Sequence, residues 1–171
     1  MLGLNIGIAI LRLALGFVFI GHGAQKLFGW FGGSGFSGTT QMMEHLNLRP
    51  AQFWALAAGS GEFFGGLFLA LGFLTPIAAA VVIGVMLMAV LKVHLKNGVW
   101  NSNRGFEYPL MNALLAAFLG LFGPGAAALD MTLGFNYPTM EVFVIALAVV
   151  VVGVLGGLLL GRGSQTEVRN S

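Results

Sequence analysis

This chain has few ionisable side chains, and several of them fall inside stretches that are otherwise apolar. Arg12, His22 and Lys26 share one such stretch, Glu62 sits inside a second, Lys92 and His94 close a third, and Glu107 and Tyr108 open a fourth. A charge near the centre of a membrane costs about 2.5–3.5 kcal/mol on insertion scales, so it persists only when paired or hydrated. Histidine and lysine donate hydrogen bonds to ligand oxygens, and histidine exchanges protons near neutral pH. Together these residues offer ligand binding with proton handling. Each also has a plainer reading. Lys26 can snorkel to the interface. His22 can make an ordinary interhelical hydrogen bond. Glu107 can satisfy a helix N-terminus. Their convergence is the stronger signal: antiparallel spans bring His22, Lys26, His94, Glu107 and Tyr108 to the inner half of one bundle, and a few polar groups meeting in an apolar pocket are the usual form of a small-molecule site.

Arg12 and Glu62 are expected to pair. Arg12 lies about 13 Å below the outer end of its span and Glu62 about 16 Å below the outer end of the next, at 1.5 Å per residue. The depths agree within one turn, so a buried ion pair follows, serving either to fix packing or to handle a ligand or proton.

These residues must be positioned by membrane helices. The 171-residue chain is 57% hydrophobic and 8% charged, with a formal net charge of +2. A soluble domain carries about 25% charged residues. Spans of roughly 20 apolar residues are predicted at 4–28, 51–73, 76–95, 107–122 and 141–160. The stretch 29–38 breaks the first helix with five glycines, and its Trp30 and Phe31 suit the membrane interface. A short interfacial helix is predicted at 39–48, with Met42, Met43 and Leu46 on its apolar face and Glu44 and His45 on its polar one. The fold class is therefore an all-α membrane protein, a four-helix transmembrane bundle with a fifth C-terminal span. Residues 1–130 form the working bundle, 131–161 add the extra helix at its side, and 162–171 form a loose polar tail. Gly153, Gly157 and Gly161 repeat every four residues and predict a close helix neighbour. No cleaved signal peptide is expected.

Other chemistries find no support. The chain has no cysteine, which excludes disulfides, thiolate metal sites and thiol relays within it. The histidine and carboxylate spacings form no metal-ligand motif, and His22 and His94 lie at different depths, which disfavours a shared haem. There is no phosphate loop, nucleophile elbow or basic patch with interleaved aromatics, so no nucleic-acid partner is expected.

The order R-x-A-L-G at Arg12, H-G-x-Q-K-L-F-G-W-F-G-G from His22 to Gly33, G-x-G-E ending at Glu62, K-V-H at Lys92 to His94 and E-Y-P-L from Glu107 resembles the DoxX family of bacterial membrane proteins, over about residues 4–130. The resemblance implies a four-helix membrane bundle in the bacterial inner membrane. Relatives include a subunit of a thiosulfate:quinone oxidoreductase and proteins tied to quinone, catechol and thiol stress. The implied role is a redox-linked membrane subunit that binds quinone, with no covalent cofactor. Its partners would be lipid, redox proteins and further copies of the chain. Whether it is itself an oxidoreductase stays open. Two alternatives stay open beside it: a transporter or permeability factor for small aromatic or sulfur compounds, and an assembly protein whose polar groups only lock the bundle.

Apart from the buried Arg12, every Lys and Arg falls at one end of the predicted bundle: Lys26, Arg49, Lys92, Lys96, Arg104, Arg162 and Arg169. Positive loops normally face the cytoplasm. Reporter fusions should therefore place the segment after Arg162 inside the cell and the N-terminus outside. A tail reached from outside would reverse the orientation.

Overall fold

The structure, a computed structural model, describes the backbone of residues 2–169 and the side chains of residues 2–159. It is all-helical over those residues. In order come α1 (Leu2–Phe28), α2 (Gly35–His45), α3 (Ala51–Leu71), α4 (Thr75–Ala89), α5 (Glu107–Phe122), the single turn α6 (Leu129–Thr132) and α7 (Thr139–Arg169). α4 continues through a π turn at Val90–His94 and a tight turn at Leu95–Asn97. Four helices are long and apolar enough to cross a membrane: Leu2–Phe28, Ala51–Leu71, Thr75–Asn97 and Thr139–Leu159. α5 is shorter, at 16 residues, or about 24 Å, and runs between the same two ends of the bundle. α7 packs beside α4 and α5. Its backbone stays helical to Arg169, through most of the stretch expected as a loose tail; Asn170 and Ser171 lie outside the described residues.

The interior is built on α1 and α3. Gly16 lies against the backbone of Gly66, where an added Cβ would sit 2.6 Å from the Gly66 carbonyl oxygen. Gly23 lies equally close to the Phe63 backbone. Without a hydrophobic drive between helices in lipid, such close backbone packing of small residues is what holds spans together. Phe19, Leu69, Val82 and Leu119 fill the centre, and Phe143 of α7 joins them. A smaller cluster of Met43, Leu48, Ala51 and Ala55 seats α2 on α3. On α2, which begins at Gly35 rather than at residue 39 and ends at His45, Met43 is buried and Glu44 and His45 are exposed as the pattern predicts, whereas Met42 of the expected apolar face is exposed.

This packing overturns the Arg12–Glu62 pair. The depth argument set the outer ends of α1 and α3 level. The glycine contacts instead place Leu27 beside Gly59, and Gly16 beside Gly66 and Ala70, sliding α1 outward by about two turns. Arg12 thus lies at the very end of α3, against Gly72, whose φ of +66° and missing Cβ leave room for the guanidinium. Arg12 donates to the carbonyls of Pro124 at 2.7 Å and Ala127 at 2.5 Å. It also feels the charge of Asp130.

Asp130 is buried and organises that end. It accepts from the backbone N–H of Leu74 at 2.8 Å and Thr75 at 3.3 Å, where α4 begins, and from the Tyr137 hydroxyl. A carboxylate is favoured at a helix N-terminus. Burial, and then the bond to Asp130, push the Tyr137 phenol above its ordinary pKa, so it stays protonated and donates. Arg12 and Asp130 together tie the connection after α5 onto the α3–α4 turn. Asp130→Ala should remove this cap and the counter-charge of Arg12. Each buried donor left unpaired costs about 1–3 kcal/mol, so thermal unfolding in detergent should fall far more than for Glu44→Ala, which changes an exposed residue. Equal stability of the two variants would contradict the assignment.

Candidate functional site

The slide of α1 brings Lys26 to Glu62. Glu62 is 2% exposed, and its Oε1 accepts a hydrogen bond from Lys26 Nζ, closing a salt bridge. α3 makes room for it with small residues. Gly59 faces Leu27 and the Lys26 stem, and Gly61 and Gly65 face Val81, Val82 and Val85 of α4. Thr39 on α2 donates to the Lys26 carbonyl at 3.0 Å, fixing the end of α1. Lys26 therefore reaches inward to a buried carboxylate rather than out to the interface. Glu62 Oε2 is buried with no partner among the described residues. A buried carboxylate with one free oxygen is costly, so the pair is incomplete as it stands.

Beside this pair lies a cavity of about 450 Å³. α2, α3, α4 with its π turn, and α7 enclose it, and Lys26 enters it from α1. Its walls are apolar, with Trp54, Met88 and Val150 among them, and among the described residues its charged liners are Lys26 and Lys92. Lys92 Nζ donates to the Leu46 carbonyl at 3.0 Å. Lys92 and Val93 come from the π turn, a local widening of the helix often found at functional sites. Volume and polarity both suit a small amphipathic ligand, since such sites typically span 300–1,000 Å³ and are apolar with a few polar groups.

The other expected site residues do not meet there. His22 turns toward α5, where Nε2 lies 3.3 Å from the Tyr108 hydroxyl and Nδ1 lies 3.3 Å from Gln25 Oε1. This pair edges a shallow groove with Phe17, Val18 and Phe31, away from Lys26. His94 Nδ1 instead bonds the Arg104 carbonyl at 2.7 Å, and the Glu107 carboxylate accepts from the Asn101 N–H at 2.9 Å. Both brace the loop between α4 and α5. The expected convergence of five groups thus splits into three places: Lys26 with Glu62, His22 with Tyr108, and His94 and Glu107 in the loop. Positions four apart on a helix differ by about 40° in direction, enough to send His22 to α5 and Lys26 to α3. Lys92 and the α7 wall were not expected at a site. Lys92 belongs to the basic end and the K-V-H motif but not to the five groups expected to converge, and α7 carries no ionisable residue in the part that lines the cavity.

The DoxX family profile matches residues 7–95, and the chain belongs to that family. It is a multi-pass membrane protein of a group associated with oxidoreductase and stress functions. No curated protein and no solved structure matches it.

Lys26→Met should leave Glu62 buried without its cation and lower thermal stability markedly, while the double variant Lys26→Met/Glu62→Leu should recover most of the loss. Replacing a whole buried pair is often neutral, whereas breaking it costs about 3–5 kcal/mol, less here because Lys26 is partly exposed. A double variant no more stable than the single one would show that the pair is not the linked unit described.

Proposed function

We propose that this chain is a redox-linked membrane subunit that binds a quinone in the cavity beside the Lys26–Glu62 pair. The observation that carries the reading is Lys26, which lines an otherwise apolar void while its ammonium is held by the buried, half-satisfied Glu62 behind it. A purely structural lock would not need an ammonium facing a void of that size. A transport pathway would be lined by more polar groups than two lysines. Lys26 fits the carbonyl oxygen of a quinone ring, with its ammonium held in place by Glu62 Oε1. Trp54 and Met88 offer faces for the ring. A bound quinone would supply reversible two-electron chemistry.

The chain itself carries no cysteine, so thiols that exchange electrons with the ligand belong to another protein or to a small molecule. The end of the bundle bearing His45, Arg49, Lys96 and Arg104, all exposed, is the face open to such a partner. By the positive-inside rule this end lies in the cytoplasm and the membrane is the bacterial inner membrane. His22 and Tyr108 form a second, shallower polar point on the opposite flank of α1, outside the cavity.

An aryl-azide quinone photolysed with the protein in nanodiscs should label peptides containing Trp54 and Met88. The stable double variant Lys26→Met/Glu62→Leu should lose most of that label, because one hydrogen bond to a buried group is worth about 1–3 kcal/mol. His22→Ala should keep it. Label confined to α1 and α5 around Tyr108 would move the site to the His22 groove, and label on the outer surface alone would remove the quinone reading.

A further inference from the structure

The last helix lies beyond the residues shared with the family, which end at 95, yet it forms one wall of the cavity. Its glycines do two different things there. Gly157 seats the Trp54 ring, which an added Cβ would strike. Gly153 and Gly156 also line the cavity, but an added Cβ at either would meet nothing within 4 Å. Gly156, partly buried, leaves space inside the cavity open, and Gly153, which is exposed, does so at its rim. The space also exceeds what a ring requires: an apolar cavity of roughly 150 Å³ holds a benzene ring, and this one is about 450 Å³. It is elongated along the helices. On α4 its lining runs from Lys92 to Val81, about 16 Å at 1.5 Å per residue. Among the described residues its charged liners, Lys26 and Lys92, come from α1 and α4, whereas α7 contributes only valines and glycines, so the volume along α7 suits something apolar.

We propose that α7 is the specificity wall of this site, and that the strip at Gly153 and Gly156 receives the first isoprene units of a quinone's chain while the ring rests against Lys26. The inference builds on the quinone reading above and adds which part of the ligand α7 recognises. It makes the fifth helix part of the site rather than an addition at its side. It also makes the chain selective for quinones that carry a tail over the same ring without one.

Trp54 supplies the signal for a test. It lines the cavity, and the other two tryptophans, Trp30 and Trp100, are exposed at the basic end, so they can be changed to Phe. Quenching of Trp54 is then titrated in the full chain in one detergent, with a dimethoxy-methyl-benzoquinone ring and with the same ring bearing two isoprene units. The tailed probe should bind about ten-fold more tightly or better, given the apolar area of two isoprenes. Gly156→Leu should erase most of that advantage and leave the bare ring's affinity unchanged. The ratio of the two affinities, compared between proteins, cancels partition into the detergent. Should Gly156→Leu lower the melting temperature, Gly153→Val serves in its place. An undiminished tail advantage in these variants, with both probes quenching, would overturn the role of α7 and leave the quinone site standing. No quenching by either probe in the parent protein would remove the quinone reading itself. Equal competition by a fatty acid of matching length would assign the strip to acyl chains and overturn the inference.

Discussion

The bundle depends on how closely α1 can lie on α3. Gly16, Gly23 and Gly66 let the two backbones touch, and that contact fixes the register of every polar group on α1. Slid as it is, α1 presents Lys26 to Glu62 and Arg12 to the far end of α3. A side chain at any of these glycines would push the helices apart and separate a buried carboxylate from its cation. In lipid, where no water can step in for a lost partner, the cost falls directly on the fold.

The two charged clusters that result have different characters. At the N-terminal end, Asp130 has both oxygens engaged, by backbone N–H groups and a hydroxyl, and Arg12 holds two carbonyls of the loop that covers it. That cluster is a closure. In the inner half, Glu62 keeps one oxygen free, and Lys26 borders a void. A few polar groups meeting an apolar cavity are where ligand binding is expected. The two clusters differ in that only the Lys26–Glu62 pair stands beside a cavity, which is the basis of the site proposed above.

The helices were legible in the sequence because apolar length and glycine or proline breaks are strong signals; α3 and α5 start where Pro50 and Glu107 predict. Register was not legible. A hydropathy window marks where a helix is greasy, not how far it slides past its neighbour, and that slide is set by side-chain volume at a few glycines. The Arg12–Glu62 pairing failed for this reason alone, since both residues are buried and charged as expected. His22 and Tyr108 do meet, and Lys26 does sit at a candidate site, but with Glu62 and Lys92 rather than with the histidines. The cavity was invisible because it is made by absences, at Gly153 and Gly156 above all, and a repeat of glycines reads as close packing until the structure shows which of them touch anything.

Native mass spectrometry of the protein released from lipid tests most directly whether the Lys26–Glu62 cavity holds a quinone. A tailed quinone should leave with the parent protein and be missing from the stable Lys26→Met/Glu62→Leu variant. Phospholipid alone on the parent, or the same quinone retained by the double variant, would contradict the account.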